Sequence, residues 1–384
     1  MLKSNKFIYF IYYVLVSFAL RVVGIFLKMD DYLILFNSFG GKKYDDSPKA
    51  VYEEMRQDPR FSKYRLVWAI QRPEDLDLPD DMEVVKGDTW PFFVTALKAG
   101  CWITNSSMER GLKFKKPSTF YLNTWHGTAI KKMGSDISES NQSFSATLSP
   151  VDIMLAQSQY DVDIFSRVFA IREDHFCCTG LPRNDILAHY TREMVENVKQ
   201  KLGLPEGKKV ILYAPTFREY ERGEQKQCVL SIPMNLGYWN ERLGEDYIIL
   251  FRAHYEVAEH MNVNQCAMFL DVSTYPTLND LMIVSDILIT DYSSICFDYS
   301  IMGKPIFFYV YDYDEYKEKR GIYFELENEF PSGVVRTQEE LLDQISDMDL
   351  DQCRAMTQRF RDKYVTAYGE AAKKACDLLI TKLK

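Results

Sequence analysis

The chain alternates short apolar runs with amphipathic stretches of helical period, and it does so twice. Near-continuous apolar runs fall at YLILF (32–36), YRLVWAI (64–70), Met82–Val85, CWITNS (101–106), Phe120–Thr124 and VDIMLAQS (151–158). A second series follows at KKVILYAPTFR (208–218), YIILFRAH (247–254), AMFLDVS (267–273), SDILITDYSS (285–294) and KPIFFYVYD (304–312). Helical patterns separate them at 47–58, 91–99, 159–169, 190–202, 277–285, 295–303 and about 337–384. Ser47 reads as an N-cap with Pro48 at the first helical position. Strands this apolar, each followed by a helix, indicate parallel sheets covered on both faces. The pattern therefore predicts an α/β protein of two Rossmann-like domains, residues 30–190 and 191–384, facing each other across a cleft. No repeat of 20–50 residues occurs.

The opening stretch departs from this alternation. Residues 7–27 contain one charge, Arg21, and are long enough for the roughly 20 apolar residues a bilayer span requires. Tyr9, Tyr13, Ser17 and Arg21 recur every fourth residue, giving a helix one weakly polar stripe against a broad apolar side. Residues 1–29 are accordingly expected to be a membrane-associating helix, spanning the bilayer or lying in its interface, with a buried core helix as the alternative. Residues 1–28 hold Lys3, Lys6, Arg21 and Lys28 and no acid, whereas the whole chain has a net charge of −9. Only the leader should meet an anionic surface, and nucleic-acid binding is disfavoured. The eight cysteines are scattered without a CxxC pair, which fits a reducing, cytoplasmic-side location and gives no zinc framework.

Candidate chemistry collects where strands end, because ligands of open α/β sheets bind beyond the carboxyl ends of the strands. In the second series those positions are Thr216, Arg218, Arg252, His254, Asp271, Ser273, Asp291, Ser293 and Ser294. Arg218, Arg252 and His254 together with the DYSS turn form a set suited to a diphosphate. No GxGxxG or GxxxxGK[ST] follows a strand, which argues against a nicotinamide fold or a P-loop. In the first series His126 ends a strand within NTWHGTAIKK (123–132). Gly127 allows close backbone approach and Thr128 offers a hydroxyl. Lys131 and Lys132 are placed to draw in an anionic acceptor or to be solvated at a helix start, and Asp136 to orient the imidazole. His175, His189 and His260 read as structural. No metal-ligand spacing occurs.

Five stretches, NTWHGTAIKKMGSD (123–136), ILYAPTFR (211–218), RAH (252–254), SDILITDYSSICFDYSIMGKPIFFYVYD (285–312) and RGIYFEL (320–326), occur in this order. In that order the sequence resembles the CDP-glycerol glycerophosphotransferase family, the teichoic-acid primases and polymerases of Gram-positive bacteria. The resemblance runs from about residue 30 to residue 370. It implies a GT-B fold and transfer of a polyol phosphate from CDP-glycerol or CDP-ribitol to a hydroxyl of a polyprenol-diphosphate-linked saccharide, with release of CMP. It also implies His126 as general base, with Arg218, His254, Ser293 and Ser294 on the donor pyrophosphate. No further cofactor is implied, and a peripheral location on the cytoplasmic face of the cell membrane is. Ala129-Ile130, Phe217 and Tyr255 depart from the family's usual residues beside these motifs. A GT-B glycosyltransferase using a nucleotide sugar would use the same anion set, and a non-catalytic membrane module would be expected to have lost it.

Overall fold

The computed structural model describes residues 6–137, 150–216, 218, 232–253, 266–323, 325–329 and 334–383. The chain divides into two compact units. The first comprises Met1–His126, Gln142–Asp185 and Ala367–Lys384, and the second Gly127–Asn141 and Ile186–Thr366.

In the first unit, seven parallel strands lie in the order β3-β2-β1-β4-β5-β6-β7. They are β1 (Asp30–Asn37), β2 (Arg65–Ile70), β3 (Glu83–Lys86), β4 (Ala99–Thr104), β5 (Phe120–Asn123), β6 (Ile153–Ala156) and β7 (Phe176–Cys178). Helices α1 (Lys6–Phe26), α2 (Asp46–Gln57), α3 (Trp90–Lys98) and α4 (Gln159–Phe169) belong to the same unit. Leu33, Ile34, Leu35 and Phe36 are all buried, which explains why β1 lacks a polar alternation: both faces of a parallel sheet are covered. Ile34 and Phe36 share one core with Val51, Tyr52 and Met55 of α2 and with Ala375, Cys376 and Leu379.

The second unit has six parallel strands in the order β10-β9-β8-β11-β12-β13. They are β8 (Lys209–Ala214), β9 (Tyr247–Phe251), β10 (Phe269–Asp271), β11 (Ile287–Thr290), β12 (Ile306–Tyr309) and β13 (Val334–Val335). Both sheets are doubly wound, and each reverses its strand order once, at β1/β4 and at β8/β11. Those reversals are where such sheets open a crevice for ligands.

Four features differ from the sequence expectation. The units part at 185/186 rather than 190/191. Residues 367–384 rejoin the first unit, because the helix Ala371–Lys382 carries the apolar face that α2 and β1 need. Residues 127–141 pass to the second unit. There Lys131 and Ile322 form an antiparallel bridge, Tyr323 N donates to Ile130 O at 2.8 Å and Lys132 N to Gly321 O at 3.1 Å. The IKK and RGIYF motifs are thus one pairing. Finally, Asp45, not Ser47, caps α2; Ser47 is wholly buried.

Among the described residues, no helix is long and apolar enough to cross a membrane. Two residues of the α1 stripe bond to the loop after β4: Ser17 Oγ accepts Lys113 N at 3.0 Å, and Arg21 Nε donates to Lys113 O at 2.8 Å. Leu20 is buried beside them, whereas Phe10, Leu15, Phe18, Ile25 and Phe26 are 56–82% exposed.

Candidate active site

His126 stands three residues past β5, beside the β1/β4 reversal. Its Nδ1 lies 2.7 Å from the carbonyl oxygen of Asn105, just past β4. A carbonyl only accepts, so Nδ1 carries the proton and Nε2 presents its lone pair. Burial is the main influence on this imidazole and lowers its pKa; the Asn105 carbonyl and Asp46 pull it upward, and Arg183 adds to the lowering. The ring is therefore a neutral base at neutral pH.

The surroundings of His126 are rigid and strained. The Trp125 ring lies 4.1 Å from the imidazole, centroid to centroid, and the Phe39 ring 5.8 Å. Trp125, Phe39 and Asp46 have φ of 50°, 48° and 65°, a left-handed region that non-glycine residues occupy only when their neighbours impose it. Asn105 imposes one of these conformations, since its Oδ1 accepts Phe39 N at 2.8 Å. Its side chain is wholly buried and helps to keep Asp46 ionised. Asp46 pairs with Arg183 at 2.7 Å, and the same Arg183 Nη1 donates to the His126 carbonyl at 2.9 Å.

Asp136, expected to orient the imidazole, belongs to the second unit. It accepts from Tyr323 OH at 2.8 Å within the second unit; the carboxylate whose charge reaches His126 is Asp46. Gly127 (φ 142°) and the buried Thr128 follow the base directly. Lys131 Nζ lies 5.8 Å from the Tyr316 ring centroid, and Lys132 is exposed. These four belong to the second unit, not to the acceptor-side domain where the sequence placed them.

In the second unit, the β8/β11 reversal brings Thr216 and Asp291 together: Thr216 N donates to both Asp291 oxygens, at 2.8 and 3.0 Å. Arg218 is 1% exposed. Its Nη1 donates to Asp291 and to Thr216 O, while Nε and Nη2 grip Asp312. Its guanidinium lies 5.0, 5.3 and 5.1 Å from the rings of Tyr292, Tyr311 and Tyr316. Burial works against its charge, but the two carboxylates outweigh that and hold it protonated. Arg218 and Asp291, expected to meet the donor, pair in a buried network that braces the strand ends.

Arg252 Nη1 donates to the carbonyls of Val272 and Tyr275. Asp271 Oδ1 accepts Ser273 N, and Ser273 Oγ accepts Ala253 N, so this pair shapes the turn after β10. Ser293 and Ser294 are half-buried; Ser293 Oγ accepts Ile295 N at 3.4 Å, and the Ser294 side chain makes no capping bond. Thr216 Oγ1 is buried without a direct partner. His254 lies outside the described residues.

Two strand-order reversals, each lined by polar residues at strand ends, describe a fold that many transferases share. The sequence decides between them. Residues 19–381 match the model of the CDP-Glycerol:Poly(glycerophosphate) glycerophosphotransferase family. The chain belongs to this family. It is 32% identical over 368 residues to the teichoic acid poly(glycerol phosphate) polymerase of Staphylococcus epidermidis, covering 91% of this chain and 51% of that protein. It is 34% identical over 331 residues to the teichoic acid glycerol-phosphate transferase of Staphylococcus aureus, covering 83% of this chain and 84% of that protein. The chain thus spans about half of the first relative and most of the second. The solved wall teichoic acid polymerase TagF superposes with a TM-score of 0.83 at 31% identity, over 92% of this chain and 89% of that one. A TagF variant soaked with CDPG gives 0.82.

Within this glycerophosphotransferase-family chain, the sequence reading passed over Phe39, Asp46, Asn105 and Arg183. A signal for them existed. Asn105 ends the CWITN run and Phe39 follows LILFNS, so the strand-end rule that selected His126 also reaches both. Asp46 opens α2 and Arg183 sits in the helical turn Pro182–Asn184, and only the fold brings them together.

Proposed function

We propose that the protein moves glycerol phosphate, or a related polyol phosphate, from a CDP-activated donor to a hydroxyl of a polyprenol-linked acceptor, in teichoic acid or capsule assembly. The acceptor oxygen attacks the phosphorus of the polyol phosphate, the bond to CMP breaks, and the hydroxyl proton passes to His126 Nε2. The observation that carries this reading is the fixed tautomer of His126: a neutral imidazole with one nitrogen locked on Asn105 O and the other free to accept. Family membership supports the CDP-linked donor, as does the CDPG-soaked relative. The Ser293 and Ser294 hydroxyls and His254 are the groups we assign to the donor pyrophosphate. Arg252 we place at the pocket edge and Arg218 behind it. No cofactor beyond the donor enters this reading. Among the described residues, no group of three or more His, Cys, Asp or Glu side chains gathers as a metal site.

Location belongs to the same proposal. A helix that buries Ser17 and Leu20 and turns Phe18, Ile25 and Phe26 outward fits in-plane insertion at a bilayer surface, with exposed Arg21, Lys28 and Lys98 available for anionic headgroups. We place the protein peripherally on the cytoplasmic face of the cell membrane.

The test is a donor panel of CDP-glycerol, CDP-ribitol and UDP-hexoses with a prenyl-diphosphate disaccharide acceptor, followed by mass analysis of the product. CMP release with CDP-glycerol is expected. A general base contributes about 10²–10⁴-fold, so His126→Ala should lose that much turnover while donor affinity stays within a few-fold. Unchanged turnover in His126→Ala would sink the base assignment, and UDP as the product would sink the substrate class.

A further inference from the structure

The Asp46–Arg183 pair is not explained by holding the fold alone. Arg183 is 15% and Asp46 6% exposed, so their charges act on neighbours through little water. Arg183 Nη1 divides itself between the Asp46 carboxylate and the carbonyl of the base itself. Asp46 reaches this position through a left-handed backbone conformation at the start of α2. Burial disfavours its charged form, but Arg183 and neighbouring hydrogen bonds outweigh this, so its pKa is lowered and it stays ionised. Asp46 and Arg183 are the charges that act on the imidazole. After β4 stands the neutral Asn105. After β1 stands the Phe39 ring, with the Lys43 ammonium 5.6 Å from its centroid. Trp125 backs onto Phe165 and Phe169 of α4. Opposite charges therefore face the base in one matched pair, from the start of α2 and from the turn after β7.

We infer that Asp46 and Arg183 form a balanced ion pair that sets how readily His126 takes up a proton, with Arg183 also fixing the backbone from which the imidazole projects. This rests on His126 being the base, and it goes further in assigning two positioning residues that touch no substrate. The carboxylate favours imidazolium and the guanidinium disfavours it. Removing either one leaves the other's field unopposed, so the two single losses act in opposite directions. A base tuned too low accepts the proton weakly, and one tuned too high is already protonated at neutral pH.

The experiment compares the full-length wild type with Asp46→Asn, Arg183→Gln and the double variant, using two readouts. One is the His126 titration by NMR on histidine-labelled protein, where only five histidines need assignment. The other is the pH profile of kcat/KM with CDP-glycerol and a prenyl-diphosphate disaccharide. Asp46→Asn should move the titration and the acid limb down by roughly one pH unit, Arg183→Gln up by a similar amount, and the double variant back near the wild type. Asn tolerates the left-handed conformation at position 46. Asp46→Asn therefore decides the matter even if Arg183→Gln does not fold. A downward shift supports the pair, and an unmoved or upward titration overturns it. A purely structural role would lower kcat with the limb in place. A titration that moves as stated while the activity limb stays put would sink the base assignment and leave the charge balance standing.

Discussion

At the scale of single residues, position in sequence and role diverge most at Arg218. An arginine closing an apolar strand reads as a phosphate ligand, and the sequence alone contains nothing to contradict that. What the sequence hides is Asp312, 94 residues on, which with Asp291 pairs the guanidinium. Removing one partner of a buried ion cluster costs about 3–5 kcal/mol, because the remaining charges lose their counterion. Arg218→Met should therefore lower the urea unfolding free energy by about that amount, as two carboxylates are left without their cation. Arg218→Lys should recover only part of the loss, since an ammonium cannot form both sides of the fork. A substitution that abolished donor binding without loss of stability would return Arg218 to the pocket. His126 was legible because a strand end followed by Gly127 marks a rim position. Its partners Asp46 and Arg183 were not, because nothing local in DDSPK or GLPRND predicts that they meet.

At the scale of elements, the strands and their order of use were largely written in the apolar runs, and the short β7 and β13 were missed because two or three residues carry no periodicity. The leader shows a different failure. Its pattern was read as one polar stripe, but a helix with one polar side does not say which side the protein takes. Two backbone groups of Lys113 settle it by bonding Ser17 and Arg21, and unsatisfied backbone groups are costly enough to decide an orientation. The apolar side is left outward. Phe18→Glu with Ile25→Glu should cut binding to vesicles containing phosphatidylglycerol by at least tenfold, measured by co-sedimentation, without changing the unfolding midpoint. Both side chains lie in solvent (66% and 79% exposed). Undiminished vesicle binding would remove α1 from the membrane proposal.

At the scale of the whole molecule, the alternation of strands and helices predicted two α/β units but placed one boundary where the chain makes several crossings. A linear sequence cannot show that its last helix belongs with its first strands; that follows only from which apolar faces remain uncovered. The attachment of that helix is specific. Asp185 accepts Ala371 N and Ala372 N, both at 2.8 Å, which places a carboxylate on the helix start. Ala367 O approaches so closely that a Cβ at Gly180 would lie 2.6 Å from it. Asp185→Ala should cost about 1–2 kcal/mol by analogy with lost caps, and hydrogen exchange should show the amides of Ala371–Lys382 opening together with those of α2. Exchange confined to the helix alone would show that it is an appendage.

The return of residues 367–384 to the first unit has a consequence for biosynthesis. Chains fold as they leave the ribosome, and domains close as units. Every residue of the second unit precedes residue 367, so that unit can close while the first, although begun earlier, still waits for its final helix. The nascent chain must keep Ile34, Phe36 and Tyr52 from aggregating until Cys376 and Leu379 arrive to cover them. The unit that carries His126 is started before the second and finished after it, so chains stalled before residue 371 should be both inactive and dependent on chaperones.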